Sequence, residues 1–137
     1  MNDILESIKQ STKNTMVEHL GIEFVECTLD KLVARMQVNH KTMRPGNILH
    51  GGATMALAET VGSGLTFINV NHQDFNIFGI EINGNHLGSV AEGGYVEAVA
   101  EFIHKGKTTQ VVGIMIKDQD GKKVSVCRIT NIILEKK

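Results

Sequence analysis

Residues 50–68 read HGGATMALAETVGSGLTFI, and this stretch decides the fold. It holds no proline and a single charge, Glu59, while Ala, Met and Leu supply helix propensity against several glycines. The pattern predicts a buried central helix over 50–68. It is not a membrane span, which needs about 20 consecutive apolar residues, because Glu59 and the glycines interrupt it. A helix apolar nearly all round belongs in a core, and in a domain this small one sheet does not easily enclose it. Something else must cover its other side, and a second copy of the chain is the simplest cover.

Working outward from the helix, the loop NVNHQD leads to four runs rich in β-branched residues: FNIFGIEING (75–84), GYVEAVAEFIHKG (94–106), KTTQVVGIMIKD (107–118) and KKVSVCRITNIIL (122–134). Much of their length alternates by two, which predicts four strands. The Asp120-Gly121 pair between the last two is a hairpin signal. On the other side of the helix, HKTMRPGNIL (40–49) carries the only proline, Pro45, beside Gly46, and reads as a turn-rich connection. Before it, Leu32, Ala34, Met36 and Val38 alternate with Val33, Arg35 and Gln37 in a predicted β-hairpin that follows Gly21. At the N-terminus, Asn2 or Asp3 is placed to cap an amphipathic helix running to about residue 19, with Ile4, Leu5, Ile8, Met16 and Leu20 loosely on one face. The order of helix, two strands, long helix and four strands predicts one α+β domain over 1–137, its curved antiparallel sheet wrapped around the central helix.

Composition narrows the function classes. A chain of 137 residues fits one domain of the usual size of about 100–200. With 42% hydrophobic and 21% charged residues it is neither disordered nor a membrane bundle. The formal charge of -1 offers none of the basic excess that duplex binding requires, so no nucleic-acid partner is expected. The charge is uneven: residues 1–90 carry six basic and nine acidic side chains, residues 91–137 eight and six. That basic excess in the C-terminal third suits a phosphorylated small ligand. Cys27 and Cys127 have no metal-ligand spacing and form no disulfide framework. The opening MNDILESIKQ lacks the apolar run of a secretory signal, and a cytoplasmic protein is expected, with no membrane partner.

Glu59 is a lone carboxylate in an apolar helix. It reads either as a solvated edge residue or as a functional acid, since burying an unpartnered carboxylate is costly. His50-Gly51-Gly52 stands where the first backbone N–H groups of the helix lack partners and the dipole favours negative charge. Glycines there allow a substrate oxygen to approach the amides; an ordinary loop-to-helix junction is the alternative. Eight residues at 1.5 Å rise put Gly51 and Glu59 about 12 Å apart on one helix, too far to act on one carbonyl. Two such helices packed antiparallel in a two-fold dimer bring Glu59 of one alongside Gly51 of the other.

The segment LHGGATMALAETVGSG, with GIEINGNHLGSV following it, closely resembles the hotdog-fold acyl-CoA thioesterases of the phenylacetate and 4-hydroxybenzoyl-CoA type. The resemblance covers nearly the whole chain. It is strongest to the catalytic-glutamate subgroup that includes 1,4-dihydroxy-2-naphthoyl-CoA and enterobactin-pathway proofreading thioesterases. The resemblance implies a homodimer with joined sheets, often paired into a homotetramer, and no metal or cofactor beyond the coenzyme A of the substrate. It assigns Glu59 as nucleophile or general base and the Gly51 amide, with Gly52 beside it, to the thioester carbonyl. His50 then polarises the thioester region, Ser63 orients the attacking group, and His86 lies near the acyl pocket and assists binding or product departure; a strand-end histidine with a satisfied hydrogen bond is the alternative reading.

Two departures stand out. Arg44 occupies the place of a glutamine common in the subgroup, six residues before His50, and either donates to the carbonyl or turns toward phosphate. Gly88 replaces an arginine that contacts coenzyme A in relatives. Lys105, Lys107 and Thr108, in the HKGKTTQ turn, are expected to hold phosphates instead; a solvated hairpin is the alternative reading. Met55, Leu65, Phe67 and Phe75 are candidates to shape an aromatic or medium acyl pocket, or simply core. The expected reaction is hydrolysis of an acyl-CoA. A non-catalytic acyl-CoA-binding module is the alternative, and a dehydratase is disfavoured because no Asp-x-Asn-x-x-His segment is present.

Overall fold

The computed structural model describes residues 2–137. Helix α1 spans Asn2–Ser11 and buries Ile8, and a single turn, α2, follows at Met16–His19. The expected continuous helix to residue 19 is therefore broken. The Ser11 and Thr12 hydroxyls donate back to the carbonyls of Ile8 and Lys9, and Asn14 sits at φ 60°; polar side chains that bond their own backbone compete with helix. The helix begins at Asn2, so Asp3 lies in its first turn.

Strands β1 (Glu23–Cys27) and β2 (Lys31–Gln37) form the expected hairpin. The connection over 40–49 is more regular than expected, because β3 (Met43–Arg44) and β4 (Ile48–Leu49) pair across a turn. Gly46 at φ 100° and Asn47 at φ 59° make that turn, and both residue types tolerate the left-handed region. Helix α3 runs Gly51–Phe67. Four strands follow: β5 (Phe75–His86), β6 (Tyr95–Lys105), β7 (Thr109–Asp118) and β8 (Lys123–Glu135). The β7–β8 hairpin turns on Gly121 at φ 81°, with Asp118 Oδ1 accepting from the Asp120 and Lys122 amides.

Six strands make one antiparallel sheet in the order β1-β2-β6-β7-β8-β5, curved over α3. Its inner face presents Leu32, Ala34 and Met36 of β2, Ala98 and Ala100 of β6, Val112, Ile114 and Ile116 of β7, and Ile129 of β8 to Leu57, Ala58, Val61 and Leu65. The helical glycines have a packing reason. A Cβ on Gly62 would stand 2.5 Å from Ile129 Cγ2, and one on Gly64 would stand 2.7 Å from Leu32 Cδ2, so only glycine lets the helix lie this close to the sheet. This is the hotdog arrangement.

Within one chain the sheet covers only one side of the helix, as its apolar circumference in so small a domain predicted. Thr54, Leu57, Ala58, Val61, Gly62, Leu65 and Thr66 face the sheet, whereas Gly52, Glu59 and Phe67 are exposed. Beside that open face runs β5, 12 residues long, paired to β8 on one edge and to nothing on the other among the described residues. Phe78 and Ile80 on it are 52% and 58% exposed. Long, apolar free edges are aggregation-prone unless something pairs with them.

Candidate active site

The N-terminus of α3 is built from two histidines lying on two glycines. His50 is the N-cap, and its Nδ1 accepts the Gly52 N–H at 2.7 Å. A Cβ on Gly52 would meet that ring at 2.8 Å, and a Cβ on Gly51 would come 2.9 Å from His86 Nε2. The glycines thus make room for histidine rings, rather than only for a substrate as the sequence suggested. The His50 carbonyl accepts from the Ala53 and Thr54 amides, and the Gly52 amide is taken by His50. Among the described residues the Gly51 N–H alone in this first turn has no acceptor. An unpartnered amide at the positive end of a helix dipole is a site for developing negative charge.

His86 reaches this point from the end of β5, where its Nδ1 lies 2.8 Å from the hydroxyl of Ser125 on β8. Arg44 comes from the β3–β4 hairpin; its Nη1 donates to the Pro45 carbonyl at 2.6 Å, and no carboxylate pairs with it among the described residues. Arg44, Gly51, Thr54, His86, Gly88 and Ser89 line one cavity of about 210 Å³ that contains no acid. The resemblance had placed several of these residues together, and the geometry does so. The reading of the sequence missed Ser125, which is fully buried on an alternating strand and carries no local motif.

Glu59 points elsewhere. It is exposed on the uncovered face of α3, with its Oε2 3.9 Å from where a Cβ of Gly79 would be, at the bulge of β5. Ser63, one turn on, lines a second cavity of about 400 Å³ between α1 and α3, with Ile8, Phe24, Thr60, Phe67 and Ile77. Of the other acyl-pocket candidates, Leu65 is core and Met55 packs on Cys127.

Lys105, Lys107 and Thr108 do not share the cavity of Arg44 and His86 within one chain. Cross-strand partners link Lys105 to Gln110, Asn131 and Gly79, whereas His86 belongs with Ser125 and Ile116. Six strand positions from Gln110 to Ile116 amount to about 20 Å. The basic turn stands instead at the end of the sheet where Glu59 lies. Lys122 Cε approaches within 3.8 Å of a Cβ position on Gly88, so a lysine from the β7–β8 turn covers the place of the missing arginine. Within one chain the unpartnered Gly51 amide and the Glu59 carboxylate therefore stand at separate places along α3.

The sequence profile described as Thioesterase superfamily matches residues 46–125. The chain belongs to the thioesterase superfamily. It is a thioester hydrolase of hotdog fold. ComA2 of Bacillus subtilis (strain 168) is 44% identical over 124 residues, 90% of this chain and 98% of that one. The proofreading thioesterase EntH of Cronobacter turicensis is 35% identical over 130 residues, 95% and 93% of the two chains. Among solved structures, a glutamine-to-alanine variant of thioesterase PA1618 from Pseudomonas aeruginosa matches with TM-score 0.92 and 37% identity, covering 96% of this chain and 94% of that one. SAV0944 from Staphylococcus aureus matches with TM-score 0.85 and 34% identity over 88% of this chain and 99% of that one. It has been solved with a glutamate replaced by alanine and with a glutamine replaced by alanine, fifteen positions apart. The same interval separates Arg44 from Glu59 here.

Proposed function

We propose that this thioesterase hydrolyses acyl-CoA at composite sites in a two-fold dimer, Glu59 of one subunit acting on a thioester whose carbonyl is held at Gly51 of the other. The observation that carries this is the separation of the two half-sites along one free edge. Two β5 strands paired antiparallel about an axis at Asn83 set Gly79 opposite His86 of the partner subunit, since the bulge takes up one residue and both then lie three strand positions from Asn83. Glu59, lying beside Gly79, then faces the partner's donor half. The same pairing covers Phe78, Ile80 and the open face of α3.

In such a site the carbonyl oxygen accepts from Gly51 N–H, and its developing charge is stabilised there. Either Glu59 takes a proton from the attacking water, or it attacks the carbonyl carbon to give a mixed anhydride that a water molecule then hydrolyses, freeing the acid and Glu59; Ser63 orients the attacking group. The thiolate leaves with a proton as free coenzyme A, and the acid departs. This is the catalytic-glutamate version of the family. The apolar cavity of Phe24, Phe67 and Ile77, reached past Ser63, takes the acyl group, and its lining of hydroxyls and hydrocarbon suits an aromatic or medium-length acyl chain. Coenzyme A leaves along Gly88 and Ser89, where Lys122 meets phosphate, with Lys105, Lys107 and Thr108 of the partner as further contacts. The enzyme uses no metal or cofactor and works in the cytoplasm. On the outer face of the sheet, Val99, Met115 and Val126 form an apolar row across three strands, suited to stacking a second dimer into a tetramer.

Thiol release measured with benzoyl-, phenylacetyl-, dihydroxynaphthoyl- and straight-chain CoA esters tests the reading. Turnover of at least one ester is expected, and Glu59→Gln should lose about 10²–10⁴-fold in kcat, the range for removing a positioned acid–base group. Undiminished turnover in that variant rejects the role. Tight binding with no hydrolysis across the panel rejects the enzyme in favour of a binding module.

A further inference from the structure

We infer that Ser125 is a positioning residue that locks His86 in the Nε2–H tautomer and so makes that imidazole a second hydrogen-bond donor beside the Gly51 amide. Ser125 is fully buried on β8, and its hydroxyl has one partner among the described residues, His86 Nδ1 at 2.8 Å. A buried hydroxyl must place its hydrogen on an acceptor. The imidazole nitrogen is the one available, so Ser125 donates and Nδ1 accepts. A neutral imidazole with an accepting Nδ1 carries its proton on Nε2. The reverse arrangement, Nδ1–H donating to the serine oxygen, leaves the serine hydrogen buried with nothing to bond.

The position of the ring gives this a consequence. Nε2 lies over Gly51, 2.9 Å from where a Cβ would be, and both residues line the same cavity. His50 is held in the same tautomer independently, because its Nδ1 accepts the Gly52 N–H. The start of α3 therefore offers backbone and imidazole donors together and no acceptor to a carbonyl oxygen. The catalytic part of this inference rests on the thioesterase reading above; the tautomer does not.

Long-range ¹H–¹⁵N correlation spectra of the intact protein, in alkaline buffer where imidazoles are neutral, report which ring nitrogen carries hydrogen. A His86→Ala spectrum assigns the ring. The expected result is Nε2–H for His86 in the wild type, a mixture of tautomers in Ser125→Ala, and restoration in Ser125→Thr. With whichever ester the enzyme turns over, Ser125→Ala should lower kcat by about ten- to hundredfold, the size of effect that orienting partners of metal-bound histidines show. KM should change little and Ser125→Thr should recover. An Nδ1–H signal in the wild type overturns the proposal, as does an unchanged tautomer in Ser125→Ala or full activity with the tautomer lost. If Ser125→Ala does not fold, the wild-type and Ser125→Thr spectra still decide. Absence of any hydrolysis would remove the functional reading while leaving the tautomer result standing.

Discussion

A methyl group on Gly51 has nowhere to go but into His86 Nε2, 2.9 Å away. Gly51→Ala gains roughly 1 kcal/mol of intrinsic helix propensity, yet it should push the imidazole off the site. The expected outcome is a protein with an unchanged or raised Tm and a kcat lower by about 10²–10³-fold, as for removal of an oxyanion donor; a fully active Gly51→Ala refutes the geometry. The cysteines make a contrasting prediction about pH. Burial raises both the Cys27 and the Cys127 thiol above the ordinary value of 9.0. Both should resist thiol reagents in the native state near pH 8. Because their folded values lie above the unfolded one, the folded state holds these protons longer. Their contribution to stability is complete below about pH 9 and declines as pH rises through the raised values, which denaturant titrations at increasing pH would measure.

The contact between α3 and the sheet depends on small residues. Gly62 meets Ile129 and Ile114, and Asn131 Nδ2 donates to the Gly62 carbonyl at 3.3 Å and to Thr66 Oγ1 at 2.9 Å. Gly62→Ala inserts a carbon where 2.5 Å is available, so it should destabilise by about 1–3 kcal/mol despite its better helix propensity, the usual cost of overpacking. Urea unfolding reads this directly, and a stabilised variant would mean that the helix can lift off the sheet. From the sequence, Gly62 and Gly64 registered only as weak helix formers. Their role lies in residues far away in the chain, Ile129 and Leu32, that no local pattern brings near them. The strands were legible because alternation is a local property, and the break between α1 and α2 was not, because it depends on hydroxyls turning back on their own backbone.

At the scale of the whole molecule, the free edge of β5 and the open face of α3 form one surface. If pairing at β5 assembles the site, Phe78→Lys with Ile80→Lys should yield a folded monomer without activity. Light scattering, circular dichroism and thiol release on one sample check this; an active monomer would sink the composite site. The amino-acid sequence by itself determined the α+β class, the central helix, the six strands of the main sheet and the motif residues His50, Gly51 and Glu59, because periodicity, turn chemistry and residue type are written locally. It also separated Gly51 from Glu59 by simple helical rise. Only the tertiary structure decided that His86 lies on Gly51 with Ser125 behind it, that Arg44 opens on the same cavity, and that the basic turn sits at the far end of the sheet with Glu59. Those relations follow from strand register and the close approach of helix to sheet, which depend on contacts between residues distant in the chain.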